Sequence, residues 1–366
     1  MVVRLKYIFV LFFGIAFFSC KGAKKTDLNV PLSIVDYFAS EKRNISSFKF
    51  ESVKYILLND TNSNALFGRI DKILVRNDRI YILDSHLKIL LVYDMNGTNL
   101  GRIGIWGQGP NEYVDIVDFD VDKNNNVYLL DGRLDKLMEY DSNGNIRKSY
   151  KLPFEADVLQ VLGSNEFMFG LSSWNHGKNE GTKIIITDST FNTLSTCLEY
   201  DEFVDPSYWF SRYYFIRTDK NIIYNQPIDD NIYVFSLNGT LSRIVKFDFK
   251  SKKVPNEYKK DIEPKLIYFD DFCFLKKFSV VTDKFILGTL WDKKETRNFI
   301  FDIKNNVSYI SDVLEDSDRS NFTGYSDSEL LSYIDPDDEM RDENLPANVI
   351  THLKLGGFVI VIKSLY

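Results

Sequence analysis

An all-β chain folded as a six-bladed β-propeller is what this sequence predicts, on three observations. A turn pattern returns after 47 residues (140 − 93): Tyr93-Asp94-Met95-Asn96-Gly97 comes back as Tyr140-Asp141-Ser142-Asn143-Gly144. Weaker copies follow at Ile186-Thr187-Asp188 and Phe235-Ser236-Leu237-Asn238-Gly239. The 366 residues include 29 Phe, 21 Tyr and only 9 Pro, a composition suited to pleated, half-buried strands. Short apolar runs separated by turn residues fill the intervals. Strand-built repeats of this length mark a propeller, each unit supplying one four-stranded sheet.

The units read in order as strands A to D. In the first, Ile70 to Arg76 is A, Arg79 to Leu83 is B, Ile89 to Tyr93 is C and Thr98 to Gly104 is D. Asn77-Asp78 turns A into B, and Asn96-Gly97 is expected to form a tight hairpin with both residues at positive φ. In the second, the strands are Ile116 to Val121, Val127 to Leu130, Lys136 to Tyr140 and Ile146 to Lys151. The third unit runs from Val158 to Glu199, the fourth from Tyr213 to Phe247 and the fifth from Phe272 to Ile310. Two orphan segments remain. Phe48 to Leu58 is strand-like, and Val349 to Ser364 reads as strand pairs, while 311–348 does not follow the repeat. Joining the orphans closes a sixth blade from both ends of the chain and leaves no open seam.

The N-terminus reads as a targeting segment. Arg4 and Lys6 precede the apolar run Tyr7 to Phe18, which is too short for a membrane-spanning helix. Phe17-Phe18-Ser19-Cys20 resembles a bacterial lipobox, with Phe17 where Leu is usual. The predicted organisation is a lipoprotein signal peptide over 1–19, a lipid-anchored tether over 20–46 with a short helical piece at Ile34 to Phe38, and the propeller over 47–366. Cys20 is the expected lipidation site. Two or three acyl chains there would anchor the protein stably, whereas one binds only marginally. Lys at position 21 departs from the Asp of inner-membrane retention, so the expected address is the outer membrane, facing the periplasm. The net charge of −7 and the want of a basic stripe argue against a nucleic-acid partner. Of the other cysteines, Cys273 in Phe272-Cys273-Phe274 reads as a buried thiol, and pairing with Cys197 stays open.

Three stretches carry a family likeness. Val53-Lys54-Tyr55-Ile56-Leu57-Leu58, Ile80-Tyr81-Ile82-Leu83-Asp84 and Gly107-Gln108-Gly109-Pro110-Asn111-Glu112-Tyr113 resemble the six-bladed β-propeller lipoproteins of Gram-negative gut-type bacteria, relatives of NHL-repeat propellers. The likeness spans most of the chain and is best from about 48 to 150. It implies a fold and an envelope address, and no reaction.

Propeller topology sorts the loops onto two faces. The A–B and C–D turns are uniformly short. The B–C and D-to-A loops hold every long insertion: Ser172 to Thr182, Tyr200 to Arg212, Asp248 to Asp271 and Ser311 to Asn348. Long loops on a rigid scaffold are where binding usually resides. Trp106, Trp174, Tyr208, Trp209 and Trp291 belong to that face, either as rings that grip a sugar or peptide or as packing beneath their own loops. Gln108, Glu112 and Tyr113 join them as ligand-binding candidates in the connector between blades one and two, whose other reading is a fixed structural link. Asp84, Asp131 and Asp230 recur after strand B. A carboxylate ring there would hold Ca²⁺ or another divalent ion, as in lactonase-type propellers; the alternative is hydrogen bonding to nearby amides. Asp122-Lys123-Asn124-Asn125-Asn126 opens like a calcium loop but lacks its Gly and Glu, and reads as an Asn-rich turn.

No catalytic constellation is legible, and no cofactor is expected. The leading expectation is a membrane-anchored, non-catalytic propeller that binds a peptide, glycan or protein on its long-loop face, in envelope nutrient uptake or sensing. The alternative is a metal-dependent periplasmic hydrolase of the lactonase type using channel carboxylates.

Overall fold

The computed structural model describes residues 24–25, 30–59, 66–163, 166–208, 211–311, 321–326, 328–337 and 345–366. The expected signal peptide, Cys20 and Trp209 lie outside them. Six sheets form, each with four consecutive antiparallel strands or their equivalent. Blade 1 comprises Lys72–Arg76, Arg79–Asp84, Ile89–Asp94 and Asn99–Ile103. Blade 2 comprises Ile116–Val121, Val127–Asp131, Lys136–Tyr140 and Ile146–Lys151. Blade 3 runs from Ala156–Val161 to Thr193–Glu199, blade 4 from Ile216–Arg217 to Leu241–Asp248, and blade 5 from Phe274–Val281 to Val307–Ile310. The fold is a six-bladed β-propeller, as the repeat predicts.

The repeat itself is a carboxylate-tied turn. Asp94 Oδ1 accepts the amides of Asn96 (2.9 Å) and Thr98 (2.8 Å). Asp141 does the same for Asn143 and Asn145 at 2.9 Å each, and Asp188 for Thr190 (2.8 Å) and Asn192 (3.0 Å). These bonds favour the ionised carboxylates and hold all three below their ordinary pKa, Asp188 at about 2 with the Thr190 hydroxyl as the largest cause. Positive φ falls on one residue per turn, Gly97 (82°), Gly144 (82°) and Gly239 (83°), and not on the Asn before it. Each is followed by a register shift in the strand pairing, so the turn is a glycine bulge rather than the two-residue hairpin expected. In blade 3 the position is Phe191 at φ 63°, and its buried ring packs 5.2 Å from Tyr150 and 5.7 Å from Phe167. That substitution is why the third copy is weak in sequence.

The sixth blade draws on three separated segments. Asn321–Ser326 and Glu329–Ile334 are its strands A and B, Val359–Ser364 is C, and the N-terminal Ser52–Leu57 is D. Closure by both chain ends is as expected, but two details differ. Val349 to Ser364 is not a strand pair: Ala347–Lys354 is a helix, with Val349 and Leu353 buried four residues apart on one face, and only the last segment is a strand. The stretch 311–348, set apart from the repeat, supplies A and B. The helical piece expected at Ile34 to Phe38 is instead the strand Leu32–Asp36, which runs parallel to the outer strand of blade 4. Lys24–Lys25 and Glu41–Asn44 lie likewise along blades 3 and 5. The described part of the expected tether thus follows the outer rim, covering sheet edges in turn.

Apolar side chains fill the spaces between neighbouring blades. Tyr81, Leu90, Phe119, Leu129 and Met138 are buried between blades 1 and 2, and Phe247 meets Phe299 at 5.4 Å between blades 4 and 5. At the closure Phe48 lies 5.4 Å from Phe285, 5.0 Å from Tyr309 and 5.8 Å from Tyr366. Cys197 and Cys273 sit in different regions and form no disulfide. The Cys273 thiol donates to Asp292 Oδ1 (3.1 Å), and burial pushes its pKa up to about 12.

Candidate functional site

Three of the four expected insertions come together with one shorter loop, whereas Ser311 to Asn348 contributes the first two strands of blade 6 instead. The four loops are the B–C loop of blade 3 at 172–181, the connector from blade 3 to blade 4 at 200–215, the B–C loop of blade 4 at 225–230 and the connector to blade 5 at 249–273. Where the first three meet the last, they enclose a cleft of about 210 Å³. Its walls carry Tyr200, Phe203, Tyr208, Tyr213 and Tyr233, with Gln226, Lys183, Asp157 and Asp229 among the polar groups.

The polar groups form one oriented network. The Gln226 side-chain amide donates to the hydroxyls of Tyr200 and Tyr213, 2.9 Å each. Tyr200 passes its own proton to the Leu171 carbonyl (2.7 Å), and Tyr213 to Asp157 Oδ2 (2.9 Å). Ser172 donates to the other oxygen of Asp157. Burial pushes the Asp157 carboxyl up to about 6 despite these two donors, and burial raises both tyrosines. On the opposite wall Asp229 accepts from Tyr233 (3.1 Å) and Asn231 (3.0 Å), with the Lys183 ammonium 3.4 Å away and 5.2 Å from the Tyr200 ring. The connector is itself held down: Asp205 accepts the Ile262 amide at 2.9 Å. Aromatic walls with fixed donors and acceptors suit a ring or side chain that is flat on one side and polar on its edge. The described residues of the lining include no histidine and no cysteine.

The residues singled out from sequence are dispersed. Tyr208 lines the cleft. Trp106 is 58% exposed, and its indole N–H bonds the Val114 carbonyl at 3.2 Å. Trp174 donates to Glu155, and Trp291 donates to the Phe269 carbonyl (3.2 Å) while stacking on Phe274. These three tryptophans serve their own loops. Gln108 is exposed. Glu112 turns back to accept the Gly109 amide at 2.7 Å, and Tyr113 is buried with its hydroxyl on the Lys88 carbonyl at 2.9 Å, the geometry of a fixed connector. Asp84 accepts the amides of Gly68 (2.9 Å), Arg69 (3.1 Å), His86 (2.9 Å) and Leu87 (2.9 Å). Asp131 accepts those of Val114 (2.7 Å), Arg133 (3.0 Å) and Leu134 (3.0 Å). Each ties the connector entering its blade to the B–C turn. Asp230 pairs with Lys253 at 3.0 Å, and its other oxygen is buried without a partner. Among the described residues no three His, Cys, Asp or Glu side chains converge as a metal site would require. Asp122 accepts the amides of Asn124 and Asn126, both at 2.8 Å, as an Asn-rich turn does.

Sequence reasoning singled out three of the loops that line this cleft and missed Tyr200, Tyr213, Tyr233 and Gln226. A hint was present, since Tyr200 and Tyr208 fall in one insertion and Tyr213 directly follows it.

A crystal structure of a Bacteroides fragilis protein, named there as a candidate for export, matches 91% of this chain and 100% of its own, with a TM-score of 0.73 and 17% identity. A member of the DUF4221 family from Bacteroides vulgatus matches 86% of this chain and 96% of its own, with a TM-score of 0.51 and 9% identity. At those identities the likeness is one of fold. No curated protein matches the chain. The model of a domain of unknown function, DUF4934, matches residues 33–355, and the chain belongs to that family.

Proposed function

We propose that this protein is an exported, membrane-anchored propeller that binds one unit of a peptide or glycan in the cleft between blades 3 and 4, without turning it over. The observation that carries the reading is the oriented Tyr200–Gln226–Tyr213–Asp157 network beside aromatic walls. The cleft is smaller than the ~300 Å³ at which pockets for drug-sized ligands begin. It therefore suits a single sugar ring or side chain, with the rest of the ligand lying across the long loops. Export is supported by the N-terminal pattern ending at Cys20 and by the name of the Bacteroides fragilis relative. No helix among the described residues is long and apolar enough to cross a membrane, and the anchor in this reading is the lipid on Cys20, in the outer membrane and facing the periplasm.

Purified protein should be applied to an immobilised panel of oligosaccharides and short peptides. One class should be retained, and Gln226→Ala and Tyr208→Ala should each weaken it about tenfold or more, as loss of an oriented hydrogen bond or a ring wall does. Unchanged retention by both variants would overturn the site. Cys20→Ser should move the protein from the membrane pellet to the soluble fraction; a variant that still pellets would remove the anchor.

A further inference from the structure

The hydrogen-bond network of the cleft between blades 3 and 4 has a polarity, and its donors are spent inward. A phenol has one proton to give. Tyr200 gives its proton to the Leu171 carbonyl (2.7 Å), and Tyr213 to Asp157 Oδ2 (2.9 Å). Both hydroxyls can therefore only accept from Gln226, which fixes its amide nitrogen on them at 2.9 Å each. The two N–H groups of that amide are then used, and its oxygen makes no hydrogen bond to the described residues. On the other wall the Tyr233 proton goes to Asp229 Oδ2 (3.1 Å), and the Asn231 side-chain amide donates to Asp229 Oδ1 (3.0 Å). Gln226, Asp157 and Asp229 all line the cleft. What the network leaves for a guest is acceptor capacity: the Gln226 oxygen and the lone pairs of carboxylates.

The charge balance runs the same way. Five carboxylates line the cleft, Asp157, Glu199, Asp201, Asp205 and Asp229, against the ammonium groups of Lys183 and Lys259. The excess is three negative charges (5 − 2) when all are ionised. Lys183 does not stand free for an anion. Its side chain is 12% exposed, and its ammonium lies 3.4 Å from Asp229 and 5.2 Å from the centre of the Tyr200 ring. The aromatic wall thus already holds one cation, as ring faces do where water is largely excluded. A guanidinium answers all three features. It is cationic, flat enough to stack on a ring, and carries five donors along its edge with no acceptor. A sugar hydroxyl instead brings two acceptor lone pairs with each proton.

We propose that the cleft binds the side chain of a peptide arginine, which makes the ligand a basic peptide rather than a glycan. The assignment rests on the cleft being the binding site, as proposed above.

The test is isothermal titration calorimetry with blocked tripeptides, acetyl-Ala-X-Ala-amide, in which X is arginine, lysine, citrulline or glutamate. The pH is 7.5, above the value of about 6 to which burial raises Asp157. The arginine probe should bind saturably and the lysine probe more weakly. Citrulline keeps the shape without the charge and should bind at least tenfold more weakly than arginine, and glutamate should not bind. Asp229→Asn should weaken the arginine probe at least tenfold. Lys183→Met should tighten it about threefold or more, because it frees Asp229 and removes a like charge; general damage to the cleft would do the reverse. Citrulline or glutamate binding as well as arginine, no saturable binding of any probe, or a weaker arginine complex in Lys183→Met would each overturn the assignment. The cleft is judged separately. A neutral ligand from the panel that Gln226→Ala releases would keep the site and remove this guest, whereas ligands indifferent to both Gln226→Ala and Tyr208→Ala would remove the two together.

Discussion

Lys72→Met should destabilise the propeller by about 3–5 kcal/mol, the range for stranding one member of a buried ion pair. Lys72 stands on the innermost strand of blade 1 with its side chain 7% exposed, and Asp118 on that of blade 2 with 0%. The ammonium donates to Asp118 Oδ1 and to the Phe119 carbonyl, 2.7 Å each. Asp118 Oδ2 accepts the Leu159 amide of blade 3 at 2.9 Å, so one carboxylate links three blades. Burial pushes its pKa up to about 6, against the pull of Lys72. Without the lysine the carboxylate keeps the Phe119 amide at 2.7 Å and that of Leu159, which places the loss toward the lower end of the range. With an unfolding entropy of about 2.1 cal/mol/K per residue, the midpoint should fall roughly 4–6 °C. Equilibrium unfolding in guanidinium chloride measures the loss directly. It should be larger at pH 8 than at pH 5, because without the lysine's pull the stranded carboxyl is raised further than in the wild type, and at pH 5 it holds a proton and carries no charge. Lys72→Met with Asp118→Asn should recover most of the loss. A single variant within ~1 kcal/mol of wild type, with no pH dependence, would mean that the pair does not hold the blades together.

Asp157→Asn tests the cleft's buried acid. A folded pKa raised to about 6 means that the carboxyl favours folding most at acid pH and loses that contribution as pH rises through 6. The variant should therefore gain on the wild type by up to about 3 kcal/mol between pH 4 and 7, and a pH-independent difference would refute the shift. Gly97→Ala should cost about 2 kcal/mol or more, because a methyl group there would sit 2.0 Å from the Leu57 carbonyl oxygen at φ 82°; a melt unchanged from wild type would count against the contact between blades 1 and 6. Deleting residues through Leu58 removes strand D of blade 6 and the Phe48 ring cluster. The product should aggregate or unfold rather than remain a monomer, and a monomeric, cooperatively melting truncation would show that the ring does not need its clasp.

The fold was legible where its chemistry is local. An Asp that binds amides two and four residues on writes the same short string at the C–D turns of blades 1, 2 and 3, and the string survives whatever packs around it. Blades 1 and 2 keep both the Asp and the Gly, and the strands read there match those observed to within two residues. Blade 6 was harder, because a strand contributed from residue 52, two from beyond 320 and one from 359 share no local signal. The short helix expected at Ile34 to Phe38 gives way to the rim strand Leu32–Asp36 for a related reason. Its partner lies more than 200 residues away in Leu241–Asp248, and pairing decides the conformation of so short a segment.

The site was less legible, and the tryptophans show why. An indole N–H needs an acceptor, and a nearby loop carbonyl is the acceptor met soonest in folding back; Trp106 and Trp291 each found one. Large rings therefore marked how the loops are fastened. The cleft is instead assembled from smaller polar groups on four loops, none of which is unusual alone. Alternation along an extended segment offers a better guide. Once Tyr213 is assigned to the blade interior by its contact with Tyr224, its neighbour Tyr214 turns the other way, onto the Lys72 ammonium of blade 1.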